Sequence, residues 1–234
     1  MPTLAVVLNH LGRFSERFIE RHIRESFGGR TVVIARYAGE AGATDKPLLE
    51  VEPLARSVPQ RLGVAAGRVA AYARHAYWGI PAGVQAQQIG AFWREHGVSA
   101  VLAEFGPLGC WIAPVARAHG VPVFVYFRGH DASRKLRSAG TVRAYRHMVA
   151  QVDGLFAVSA FLVDNLRRAG VEHANTHVIP SGANSRVFVP GTKEPGLVAA
   201  IGRMVPNKGP HLALRAFAGA AGRHAHARLV MVGD

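Results

Sequence analysis

Strand-length apolar runs and amphipathic stretches alternate along most of this chain. Residues 3–8 (TLAVVL) form one such run, followed by a Gly-containing turn, NHLGRF. Ser15 then predicts a helix start, with Phe18, Ile19 and Ile23 spaced to share one helical face. Residues 31–36 predict a second strand. The Ala-rich region 56–96 predicts helix, interrupted at Trp78-Gly79-Ile80-Pro81 because proline lacks the N–H that a helix interior needs. Strand 99–103, helix 108–119 and strand 122–127 make a tight strand–helix–strand unit. Helix 141–151, strand 155–158, helix 160–169 and strand 176–179 continue the alternation. Strands separated by helices pair in parallel, and a parallel sheet needs helices over both faces. The pattern predicts an α/β protein.

The periodicity stops between residues 180 and 195, where Pro180, Gly182, Pro190, Gly191 and Pro195 cluster. We therefore expect one domain over 1–190 and the beginning of a second, truncated one over 191–234. The second contains strand Leu197–Ile201, helix 209–220 and strand Arg228–Val232. One such unit of about 40 residues cannot cover both faces of its own strands. Apolar residues such as Val198, Ala200, Leu229 and Met231 are expected to remain exposed.

Composition narrows the function classes. The chain has 234 residues, of which 49% are apolar, enough for a sizeable core and too many for a disordered chain. No apolar run approaches the roughly 20 residues of a membrane helix, and the N-terminus lacks the basic region of a signal peptide. The lone cysteine, Cys110, cannot form an internal disulfide and suits a reducing cytoplasm; on the apolar stretch LGCWIAPVA it reads as a small core residue. Lys and Arg number 28 against 15 Asp and Glu, a formal charge of +13. Such a charge suits phosphate, on nucleic acid, on an anionic membrane surface or on a nucleotide. The arginines are scattered, and the densest stretch is RKLRSAGTVRAYRH, so a dedicated nucleic-acid binder is not expected.

Four stretches, in order, name a family. LVAAIGRMVPNKGPHLALRAFA resembles the strand–Gly-Arg–loop–Lys-Gly–helix signature of the GT-B glycosyltransferases of family 4, the retaining "group 1" type. VSAFLVDNLRRAGVEHANTHVIPSGANSRVFVP resembles that family's I-P-N-G-V-D passage, with Ser181 and Asn184 at the Asn and Asp positions. GRFSERFIERHI resembles its S-E-T-F-I loop, and YFRGHDAS its F-H-G-x-D element, with Arg128 in place of the histidine. The resemblance implies a Rossmann-like N-terminal domain on the acceptor side and the opening of a nucleotide-sugar-binding domain. It also implies transfer of a sugar from a nucleotide-sugar to a hydroxyl on a polysaccharide or glycolipid precursor. The family's Glu-x7-Glu pair is missing, since no glutamate here has another eight positions later.

The candidate site residues follow from chemistry and position. Gly202, Arg203 and Lys208 lie between a strand end and a helix start, where anions are favoured; they either bind the leaving diphosphate or are solvated loop residues. Gly12, Ser15 and Glu16 either face the acceptor or make an ordinary helix start. Arg128 and Asp131 are the candidate catalytic pair, Asp131 alternatively holding an Asx turn. Glu104, after a strand, binds an acceptor hydroxyl or a neighbouring arginine, or sits in a surface ion pair. Ser159 reads as a helix N-cap. No cofactor or metal is expected: there is no Asp-x-Asp, and neither His173/His177 nor His224/His226 has a third ligand at sensible spacing. The alternative to an enzyme is a non-catalytic remnant or a partner-binding module.

Overall fold

The computed structural model describes residues 1–12, 16–39, 44–51, 69–70 and 72–234. They divide into two compact units, Met1–Ser181 and Gly182–Asp234. The change of unit falls at the start of the Pro/Gly-rich segment, ahead of the residue 190 expected from the sequence.

The first unit is a seven-stranded sheet in the order β3-β2-β1-β4-β5-β6-β7, with every pairing parallel. Its strands are β1 (Thr3–His10), β2 (Thr31–Tyr37), β3 (Leu48–Glu50), β4 (Val98–Glu104), β5 (Val123–Phe127), β6 (Gly154–Ala157) and β7 (Thr176–Val178). The helices are α1 (Arg17–Glu25), α2 (Val84–Glu95), α3 (Gly106–Ala118), α4 (Ala139–Val149) and α5 (Ala160–Arg168). The chain builds outward from β1 through β2 to β3, then returns so that β4 pairs with the other side of β1. That reversal makes the β1–β4 boundary a topological switch point, and open α/β sheets hold ligands outside the carboxyl ends of the strands there.

Side-chain alternation explains the two cores. Ala5, Val7, Val32, Ile34, Val101 and Ala103 face one way and pack with Leu108, Trp111 and Ile112 of α3 and with Tyr145 and Met148 of α4. Leu4, Val6, Leu8, Val33 and Leu102 face the other way, under Ile19 and Ile23 of α1. Two glycines let α3 approach β5 and α4 closely. A Cβ on Gly109 would lie 2.6 Å from atoms of Met148 and Val125, and one on Gly106 would lie 2.4 Å from Phe127. Cys110 is buried as expected, and burial pushes its thiol up to about 12. Of the predicted Ala-rich helix 56–96, residues 56–68 and 71 lie outside the described residues; 69–70, 72–75 and α2 are helical.

The second unit holds β8 (Leu197–Ile201), α6 (Pro210–Ala221) and β9 (Arg228–Val232), with β8 and β9 parallel. No residue of this unit is buried. Val198 is 49% exposed and Ile201 82%, while Ala200, Leu229 and Met231 are half-covered. Among the described residues no helix is long and apolar enough to cross a membrane.

Candidate functional site

Three elements around the switch point converge on one buried carboxylate. Glu104 is the last residue of β4 and its side chain is fully buried. An ionised group in that position is tolerable only with counter-charge and hydrogen bonds. Arg128, just past β5, supplies the charge: its Nε donates to Glu104 Oε2 at 3.2 Å. His22, on α1, meets the other carboxylate oxygen through Nδ1. With Nδ1 protonated toward the carboxylate, His22 Nε2 is an acceptor, and Arg128 Nη2 lies 3.3 Å from it.

Aromatic faces complete the enclosure. The Arg128 guanidinium carbon lies 3.9 Å from the ring centre of Phe18 and 3.9 Å from that of Tyr126. Both rings turn their negative faces to the cation. Phe18 and His22 are one helical turn apart on α1, so a single helix face delivers both. The His22 ring also stacks on Tyr126, with centroids 5.5 Å apart. Arg128 Nη1 donates to Ser181 Oγ at 2.9 Å, and the Tyr126 hydroxyl donates to the Ile179 carbonyl. Burial raises the Tyr126 hydroxyl above its ordinary value, against the opposing pull of Arg128.

Asp131 shapes the loop that carries Arg128. Its Oδ1 accepts from the backbone N–H of Arg128 and of Gly129, both at 3.0 Å, and its Oδ2 accepts from Gly106 N–H at 3.0 Å. One buried carboxylate thus ties the β5 loop to the start of α3. Gly129 adopts φ 153° and Phe105, between Glu104 and α3, adopts φ 78°. For a bulky residue a positive φ costs of order 1–3 kcal/mol, and such strain collects at functional loops.

The structure brings Arg128, Asp131 and Glu104 together. The surface-pair reading of Glu104 is corrected: β4 runs one residue further than expected and points this side chain inward, where no solvent reaches it. Gly12 lies exposed in the turn after β1, with φ 78°. Glu16 stands at the N-cap position of α1. Ser15, with its predicted cap, lies outside the described residues. Ser159 stands at the N-cap position of α5 as expected, with extended backbone; its side chain makes no capping bond, and its carbonyl accepts from Leu162 N–H. Within the second unit, Arg203 and Lys208 are exposed in the loop between β8 and α6. Gly202 N–H bonds to the Val232 carbonyl at 2.9 Å, and the Lys208 methylenes lie 3.9 Å from where a Gly202 Cβ would stand. Sequence reasoning missed His22. Its place four residues after Phe18, on the helix that begins beside the switch point, was the available signal. Among the described residues, no three His, Cys, Asp or Glu side chains come together as a metal-holding group.

Residues 21–182 match the family described as glycosyl transferase 4-like domain, more than half of the chain. The chain belongs to that family. Solved structures share its fold at low identity. HepE of Anabaena, in complex with UDP-glucose, aligns with TM-score 0.69 and 15% identity over 100% of this chain and 61% of its own. Sucrose-phosphate synthase of Thermosynechococcus elongatus aligns with TM-score 0.58 and 12% identity over 100% of this chain and 71% of its own. The apo form of the lipopolysaccharide outer core galactosyltransferase WaaB aligns with TM-score 0.54 and 10% identity, over 99% and 68%. No curated protein matches the sequence. The fold is that of the GT-B glycosyltransferases, and the chain spans about three fifths of the HepE length. The buried Glu104–Arg128–His22 group lies within the matched domain.

Proposed function

We propose that this chain contributes the acceptor-side domain of a glycosyltransferase and the opening of its nucleotide-sugar domain. The enzyme moves a sugar from a nucleotide-sugar to a hydroxyl of a polysaccharide or glycolipid precursor, with retention of anomeric configuration. The C1–O bond to the diphosphate breaks, a C1–O bond to the acceptor oxygen forms, and the hydroxyl proton is released. The observation that carries the reading is the buried Arg128 group at the switch point of a glycosyl transferase 4-like domain. UDP and UDP-glucose bound to a protein of the same fold support it.

In this reading Arg203 and Lys208 stabilise the leaving diphosphate, with Gly202 allowing its close approach. His22, the more open member of the buried group, faces the reacting groups, and Arg128, Glu104 and Asp131 position it. Gly12, Ser15 and Glu16 border the acceptor. Reaction and site are set in the cytoplasm, where the lone thiol stays reduced, with contact to the inner membrane surface.

The test uses the polypeptide as the cell makes it, with a panel of nucleotide-sugars and a membrane lipid extract as acceptor source. Release of nucleoside diphosphate is followed, and the anomeric configuration of the product is read by NMR. Arg203→Ala or Lys208→Ala should each lower release by roughly 10²–10³-fold, and a chelator should leave it unchanged. Absence of release from every donor, or folded alanine variants with normal turnover, would refute the assignment.

A further inference from the structure

The most basic part of the sequence begins just past Asp131, and none of its cations belongs to the site described above. Between Asp131 and Asp153 the chain carries Arg134, Lys135, Arg137, Arg143 and Arg146 and no carboxylate. The fold gathers part of this charge into a hollow. A cavity of about 680 Å³ opens where α4 meets α5, lined by Arg134, Arg137, Arg146 and Arg168, with Leu136 and Phe161 among its apolar residues. Among the described residues no Asp or Glu lines it. Asp164, the acid of α5, pairs instead with Arg167 at 3.0 Å, and none of the four lining arginines makes a salt bridge among the described residues.

The hollow is partly preset. Arg146 Nε donates to the Ala169 carbonyl at 2.9 Å, laying its guanidinium across Gly170, where a Cβ would stand 2.8 Å from Nη2. Asn165 donates to the Ala132 carbonyl at 3.2 Å, tying α5 to the loop below Arg134. Four like charges converging without counter-ions repel one another, and a multiply charged anion relieves that repulsion through charge-assisted, fork-like hydrogen bonds. Phe161 adds a second feature: it lines the cavity and is 63% exposed. A free anion has no use for an exposed aromatic ring. A lipid surface does, because aromatic rings and arginines together suit the boundary between head groups and acyl chains.

We propose that this cavity seats the phosphate-bearing head group of an anionic lipid and docks the first unit on a membrane surface. The inference gives the membrane contact of the proposed function its site, and its test is independent of the catalytic reading, since docking is measured without turnover. Each surface arginine near an anionic leaflet strengthens binding by about fivefold, so losing two weakens it by about 25-fold. A head group in the cavity takes hydrogen bonds from Arg137, Arg146 and Arg168 while Phe161 enters the interface.

The test is co-sedimentation of the full chain with vesicles of phosphatidylcholine, alone or with about a third phosphatidylglycerol, at low and physiological salt. The wild type should bind the anionic vesicles only. Arg137→Ala with Arg168→Ala should weaken binding about 25-fold, and Phe161→Ser should weaken it while leaving net charge unchanged. Arg24→Ala with Arg94→Ala removes the same charge elsewhere and should cost far less. Equal losses from both pairs would mean that overall basicity alone is at work and would overturn the site. Binding of inorganic phosphate that is insensitive to Phe161→Ser, without vesicle binding, would assign the cavity to a free anion and overturn the docking. Tighter binding to a short single-stranded RNA than to the vesicles, lost with the same two arginines, would also overturn it.

Discussion

Glu104→Gln isolates the electrostatics of the site, because it removes one charge and almost no volume. The wild-type side chain is fully buried and accepts from Arg128 Nε at 3.2 Å and contacts His22 Nδ1. The Arg128 side chain is 6% exposed, so the substitution leaves a permanent cation enclosed without its carboxylate. Breaking a buried pair by removing one partner costs about 3–5 kcal/mol. Arg128 keeps its Ser181 bond and its two aromatic faces, so the lower end, about 3 kcal/mol, applies. In a unit of this size each kcal/mol moves Tm by about 2–4 °C, which gives a fall of about 6–12 °C. Urea and thermal melts of wild type, Glu104→Gln, Arg128→Met and the double variant measure it as a cycle. The double variant should be no less stable than Glu104→Gln, since it buries no charge. The fall should persist in 1 M salt, which screens surface pairs and leaves buried ones. A Glu104→Gln protein melting within about 2 °C of wild type, or effects that simply add in the double variant, would refute the buried counter-ion.

Other outcomes are equally concrete. Gly106→Ala places a Cβ 2.4 Å from Phe127 and 2.6 Å from Tyr145, and overpacking of this kind should lower stability by about 1–3 kcal/mol in urea unfolding. Gly233→Ala places a Cβ 1.8 Å from the Gly202 carbonyl oxygen, so amide exchange in β8 and β9 should accelerate while that in β1, β4 and β5 stays slow. Cys110 has its thiol raised from 9.0 to about 12 by burial, so the unfolded chain loses this proton first. Its contribution is complete below pH 9 and fades from 9 toward 12, at about 1.4 kcal/mol per pH unit at most. Unfolding midpoints between pH 8 and 10.5 should fall more steeply in wild type than in Cys110→Ala, and the native thiol should resist aromatic disulfide reagents at pH 8.

The alternation of apolar runs made the sheet legible, because a strand buried on both faces shows an unbroken apolar stretch. β1, β4, β5, β8 and β9 each carry that signature and lie within a residue or two of their expected limits. β3 left no such trace. Leu48–Glu50 is three residues at the sheet edge, with only Leu49 packed against the core, and nothing in its pattern separates it from a turn. The strand order, with its reversal beside β1, is also invisible to local pattern, since it depends on which strands meet in space. It is this reversal that decides which loop residues become neighbours.

The site shows the same limit more sharply. Arg128 and Glu104 are 24 residues apart, and each read alone as a polar residue after a strand is an ordinary loop charge. Their meaning lies in the pairing. An arginine cannot shed its proton on burial as a histidine can, so a guanidinium that is 6% exposed demands a carboxylate within reach. β4 and β5 are neighbours, and the register sets Glu104 opposite Tyr126, two residues before Arg128, so that demand is met from the adjacent strand. Asp131 then fixes the backbone that aims the guanidinium, and α1 brings Phe18 and His22 over it. An arginine at the histidine position is therefore intelligible as half of an ion pair whose other half the sheet supplies.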